Sequence, residues 1–132
     1  MTLPVIQNYI NGEWATSDST VMGDIWNPAT GEKIAQVPYG TKDDVDMAVR
    51  AAKDAYLEWR ETPPVTRARY LFRLKEAFED EFEDIARVLT TEQGKAIDES
   101  RGEVRRMIEN VEHATGVTTM MTGYCLEDIA RG

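Results

Sequence analysis

The sequence predicts an α+β chain, with short antiparallel strands first and three long amphipathic helices after them. Three observations carry this. An Asn-Gly pair sits between short apolar and aromatic runs near the start. The hydrophobic period changes at Thr41 from that of strands to that of helices. Two breakers, Thr62-Pro63-Pro64 and Gly94, then divide the helical part into three. The organisation expected is strands and turns over 1–40, helices over 41–122, and a linking segment over 123–132.

Each element follows from its residues. In Asn8-Tyr9-Ile10-Asn11-Gly12-Glu13-Trp14, a type I′ turn needs φ > 0 at both central positions, which Asn and Gly supply. Ile25-Trp26 reads as a strand running into the turn Asn27-Pro28-Ala29-Thr30-Gly31. Lys33 to Val37 alternates with period two, as a half-buried strand does, and Pro38 and Gly40 end it. Thr41 is a good helix N-cap, with Asp44 in the capping-box position. Val45, Ala48, Val49, Ala52, Tyr56 and Trp59 then fall on one face. The second helix starts near Val65 and is expected to run unbroken to Gly94, with Ala68, Leu71, Phe72, Phe78, Phe82, Ile85, Ala86 and Leu89 as its buried stripe. The third runs from about Lys95 towards Met121, with Ile97, Val104, Ile108, Val111, Ala114 and Thr115 inward. Gly102 and Gly116 weaken it, so a bend or an early end is expected there. The sequence stops at Gly132 without a capping element, which suits a piece of something longer.

Composition excludes several classes of function. At 132 residues the chain fits one modest domain. Fifteen Lys+Arg against 24 Asp+Glu give a net charge of −9, which repels nucleic-acid phosphates and anionic membranes alike. One Cys makes no internal disulfide. No apolar run approaches the ~20 residues of a membrane span, and no signal peptide is visible, so the cytoplasm is the default compartment. The acid excess, with five Lys among the fifteen basic residues, would also suit a salt-adapted host.

The residues offer little chemistry of their own. There is no G-x-G-x-x-G and no Walker A run. One His and one Cys cannot form an N/S metal site. Cys125 would be a nucleophile only if a base or a helix end lowered its pKa; otherwise it is a small loop residue. His113 reads as a rim residue rather than a general base. The acids from Glu76 to Asp84 occupy the wet side of the stripe that carries Phe78 and Phe82. Arg101, Arg105 and Arg106 leave two readings open: guanidinium groups that bind a carboxylate or phosphate, or partners of Asp98, Glu103 and Glu109 at helical spacing.

The run Asn8 to Trp14, the turn Asn27-Pro28-Ala29-Thr30-Gly31-Glu32, the helix from Thr41 to Trp59, Arg67-Ala68-Arg69 and Glu92-Gln93-Gly94-Lys95 resemble the amino-terminal region of NAD(P)-dependent aldehyde dehydrogenases. Gly102 to Glu112, and Met120-Met121-Thr122-Gly123 with Leu126 to Ala130, are similar to the CoA-acylating branch acting on methylmalonate or malonate semialdehyde. The resemblance covers essentially this whole chain and about the first quarter of the family's usual length. It implies a piece of an α/β NAD-binding domain. It also implies a chemistry. A thiolate attacks the aldehyde, hydride passes to NAD, and the acyl group loses CO₂ and passes to CoA. NAD is then the cofactor and CoA the co-substrate of the complete enzyme. Its partner is a small semialdehyde acid, with no nucleic acid and no membrane, in a homo-oligomer. The family's catalytic Cys and nucleotide-binding glycines lie downstream of anything present here. These 132 residues are therefore expected to be inactive alone and to bind neither NAD nor CoA. One role carries over by resemblance: Arg106, on the third helix, pairs with the substrate carboxylate, and Arg105 stays a surface ion-pairing residue. A different branch of the family would differ in CoA dependence. The alternative class is a stand-alone, non-catalytic helical interaction module.

Overall fold

A computed structural model describes residues 2–124. Among these residues four strands precede five helices, an α+β piece as the sequence predicts. Strands β1 (Asn8–Ile10) and β2 (Glu13–Ala15) form the expected hairpin. Asn11 and Gly12 turn it at φ 54° and 82°. Tyr9 and Trp14, directly opposite in the register, meet edge to face at 5.0 Å. Strands β3 (Met22–Asn27) and β4 (Glu32–Pro38) make a second antiparallel pair, with a bulge at Ile25/Trp26. In the turn between them, Asn27 Oδ1 accepts from the Ala29 N–H at 3.0 Å. The chain start also lies along β4, joined to it by a parallel bridge between Val5 and Gln36. The alternation of β4 is only weakly expressed in burial. Ala35 is its one buried residue, and Ile34, Gln36 and Val37 are half-buried alike.

Helix α1 (Lys42–Trp59) starts from a complete capping box between Thr41 and Asp44. Its apolar face, however, is not buried: Val45, Val49, Tyr56 and Trp59 are between 43% and 58% exposed. Helix α1 is tied to the described remainder by a Ser17–Asp44 hydrogen bond and an edge-to-face pair of Trp59 with Tyr70, and open hollows lie between its middle, Ala48 to Ala55, and Tyr9 and Ile10 of the hairpin.

The second helix of the sequence reading is two helices, α2 (Pro64–Asp80) and α3 (Phe82–Gln93), broken at Glu81 with φ −97° and ψ 13°. No Pro or Gly marks the break. At 1.5 Å per residue, an unbroken helix over this span would be about 45 Å long, well beyond the ~28 Å of the next one. The break lets both halves pack on α4 (Ile97–Thr115). Phe72, placed on the buried stripe by its spacing, is 56% exposed, whereas Ala68 one turn before it is buried. The third helix ends early at Gly116, one of the two expected places: α4 stops at Thr115, and Gly116 starts the single turn α5 (Val117–Met120). It runs through Gly102 without a break.

The core lies between α3 and α4. Ala86, Val104 and Ile108 are buried there, and Phe78, Phe82, Ile85, Ile97 and Met107 pack around them. Ser100 is fully buried in the same seam, and its hydroxyl pairs with Thr90 Oγ1 at 2.8 Å. This leaves no unpaired polar atom in the seam.

Candidate functional site

Helix α4 carries three of the chain's guanidinium groups, on Arg101, Arg105 and Arg106. The helix is fixed by its core side and by Glu99, whose Oε2 accepts from the Ala96 N–H at 3.3 Å at its start. Asp98 and Glu99 in the first turn also suit the positive end of the helix dipole.

Arg101 is committed to structure. Its Nε and Nη2 donate to the two carboxylate oxygens of Glu83 on α3, each at 2.9 Å, and Nη1 donates to Asp98 Oδ1 at 2.9 Å. Glu83, then Asp98, holds its guanidinium still more firmly protonated, and Arg101 in return lowers the Glu83 carboxyl pKa. This is a clasp between helices, and it takes Arg101 out of any binding role. The sequence reading foresaw Asp98 by spacing. It missed Glu83, 18 residues away, because pairing between helices leaves no periodic signature.

Arg105 was expected to ion-pair. Instead its guanidinium lies over the Phe82 ring, 5.5 Å from the centroid. It lines a hollow of about 450 Å³ with Glu79, Ile108, Glu109 and Glu112. No ion pair within 4.0 Å joins it to those acids among the described residues. The Phe82 face competes with them because the break at Glu81 turns that ring towards α4.

Arg106, about 100° further round the helix, is exposed. Among the described residues it makes no ion pair and no side-chain hydrogen bond. Of the two acids at helical spacing from it, Glu103 pairs with Lys95, and Glu109 lines the hollow beside Arg105. One turn earlier, Gly102 leaves open space beside it. A free guanidinium with clear space around it is suited to a planar anion such as a carboxylate, held by two parallel hydrogen bonds.

The remaining candidates are not brought together. His113 is exposed at the last turn of α4, with no nucleophile against it among the described residues. Cys125 lies outside the described residues. Among the described residues, no three His, Cys, Asp or Glu side chains group to hold a metal ion, and no helix is long and apolar enough to cross a membrane.

The aldehyde dehydrogenase family model matches residues 14–131. Malonate-semialdehyde dehydrogenase 3 of a Bacillus cereus strain is 50% identical over 131 residues, covering 99% of this chain and 27% of that protein. Malonate-semialdehyde dehydrogenase 2 of Geobacillus kaustophilus is 46% identical over 127 residues, 96% of this chain and 26% of that protein. A crystal structure of methylmalonate-semialdehyde dehydrogenase from Oceanimonas doudoroffii superposes with a TM-score of 0.90 at 36% identity, over 97% of this chain and 26% of that one. A protein of Sinorhizobium meliloti 1021, assigned as a methylmalonate-semialdehyde dehydrogenase and solved with NAD, gives 0.91 at 29%, over 99% and 27%. The chain thus spans about a quarter of the length of the relatives it matches. A family model covering nearly all of the chain, together with close superposition on solved relatives, shows that this chain belongs to the aldehyde dehydrogenase family.

Proposed function

We propose that this chain is the amino-terminal segment of an NAD-dependent, CoA-acylating malonate- or methylmalonate-semialdehyde dehydrogenase. The observation that carries the reading is 50% identity to a malonate-semialdehyde dehydrogenase across 99% of the chain. The segment contributes scaffold and one substrate contact, Arg106. A semialdehyde acid brings a carboxylate into an active site that must otherwise exclude water. A buried, unpaired carboxylate is costly, so the site needs a fixed cation. Arg106, without an internal partner among the described residues, is this chain's candidate for it.

The redox chemistry belongs to the rest of the enzyme in this reading. NAD would accept the hydride, and CoA would accept the acyl group after loss of CO₂. The hollow beside Arg105 does not suit the pyrophosphate of either group. The 450 Å³ hollow sets Glu79, Glu109 and Glu112 around a single guanidinium, a charge pattern that repels a pyrophosphate. No step is therefore assigned to this segment beyond holding and orienting the carboxylate. The bare apolar faces of α1 and of the β1–β2 hairpin support further contacts in the complete protein, which we take to be a homo-oligomer in the cytoplasm.

The test uses the full-length protein with NAD, CoA and malonate semialdehyde, following NADH and acetyl-CoA together. A hydrogen-bonded charge pair is worth roughly 1.5–3 kcal/mol, so Arg106→Ala is expected to lower kcat/KM for the semialdehyde acid by about 10- to 100-fold. For propionaldehyde, which has no carboxylate, the loss should be far smaller. Equal losses on both substrates would overturn the role of Arg106. Turnover of malonate semialdehyde that ignores CoA would overturn the branch.

A further inference from the structure

We propose that Gly102 is a specificity-determining residue, whose missing side chain leaves a notch beside Arg106 that admits the charged end of a short carboxylic-acid substrate. The inference rests on the carboxylate role of Arg106 and extends it to a second position.

Gly102 lies inside α4, on the face turned away from the core. Glycine inside a helix is destabilising relative to alanine, so its presence asks for a local reason. The usual reasons are absent among the described residues. Its φ is not positive, and a Cβ built on it would meet nothing within 4 Å. Gly94 in the same chain is the opposite case, with φ 81° and Pro28 Cγ only 2.6 Å from an added Cβ.

Position supplies a reason. Residues four apart on a helix are neighbours, with Cβ atoms about 5–6 Å apart. Helical side chains lean towards the helix N-terminus, so Arg106 covers the turn that contains Gly102. The acids bordering that turn are held away from it: Glu99 by the Ala96 N–H, Glu103 by Lys95 and Asp98 by Arg101. A guanidinium takes a carboxylate edge-on, in one plane, through two parallel N–H···O bonds. That approach needs unfilled volume at the guanidinium's flank, and Gly102 provides it. A methyl group there would narrow the approach for a carboxylate. An uncharged aldehyde, which has no group to place at Arg106, would be much less affected.

The experiment makes Gly102→Ala and Gly102→Val in the full-length protein. It measures KM and kcat for malonate semialdehyde and for propionaldehyde, inhibition by malonate, and Tm. Gly102→Ala is expected to hold or raise Tm, since alanine is the better helix residue and an added Cβ meets nothing within 4 Å among the described residues. At the same time the KM for malonate semialdehyde and the Ki for malonate should rise about tenfold, the effect of one misplaced methyl in a fitted site. Gly102→Val should raise both further. The propionaldehyde KM should move several times less, and kcat should change little for either substrate. A held or raised Tm with no selective change in KM or Ki for either variant would overturn the proposal. Arg106→Ala separates the two failures. If that variant shows no selective loss, the carboxylate reading itself falls. If it does while both Gly102 variants behave as the parent protein, only the notch is wrong.

Discussion

Three donors converge on one oxygen of Asp44: Ser17 Oγ at 2.6 Å, the Thr41 N–H at 2.7 Å and Thr41 Oγ1 at 2.9 Å. The Ser17 hydroxyl, followed by the Thr41 backbone, holds the Asp44 carboxyl below its ordinary value. The folded state therefore favours the charged form. This contribution is fully present above the ordinary carboxylate range and is lost as pH falls through the lowered value. Asp44→Asn should lower Tm at pH 7 and flatten its fall in acid, so that the two melting curves converge once pH has fallen below the lowered value. A variant that melts parallel to the parent protein at every pH would show that the network carries no pH dependence. Thr41 and Asp44 were legible in the sequence because a capping box has fixed spacing. Ser17 was not, because it arrives from 27 residues away. The same limit applies along α4. Spacing suggested acids for Arg105 and Arg106, but it could not show that Phe82 would take the first or that Lys95 would draw Glu103 from the second.

Helix ends were more legible than helix faces. Thr41 and Gly94 bound their helices where the sequence placed them, since each satisfies backbone groups locally. The break at Glu81 has no local signal. It exists because two short helices can both lie on α4 where one long helix could not, which is a property of the packing. The face of α1 misled for a related reason: amphipathic spacing says which side is apolar, not what covers it. Gly94 joins the two kinds of information. Its φ of 81° is left-handed, and the turn between β3 and β4 seats Pro28 so close that an added Cβ would lie 2.6 Å from Pro28 Cγ. Gly94→Ala should therefore destabilise the protein by more than about 1 kcal/mol, through backbone strain and displacement of the β3–β4 turn together. Chemical denaturation checks this. A variant as stable as the parent would mean that the turn moves aside freely and does not brace α3.

Five buried apolar residues among the described ones, Ala35, Ala68, Ala86, Val104 and Ile108, make a thin core for a chain of 132 residues. Much of the remaining apolar surface is open. On α1, Val45, Met47, Val49, Tyr56, Leu57 and Trp59 are each more than 40% exposed, and on the hairpin so are Tyr9 and Trp14. Contiguous open apolar surface of this kind drives association. The net charge of −9 opposes it, but that repulsion is screened as the Debye length shrinks from ~10 Å at 0.1 M salt to ~3 Å at 1 M. The polypeptide 1–132 expressed alone should consequently enhance the fluorescence of a hydrophobic dye. Its sedimentation should also depend on concentration, with association strengthening in molar KCl. Replacing Val45 and Val49 by Lys should reduce both effects, although it lowers the net negative charge that keeps copies apart. That opposition of signs makes the variant informative: a gain in association would assign it to charge, and a loss to the apolar face of α1. A polypeptide that stays monomeric and silent to the dye at every salt concentration would show that this face needs no cover. The proposed contacts between α1 and the rest of a longer enzyme would then lose their physical support.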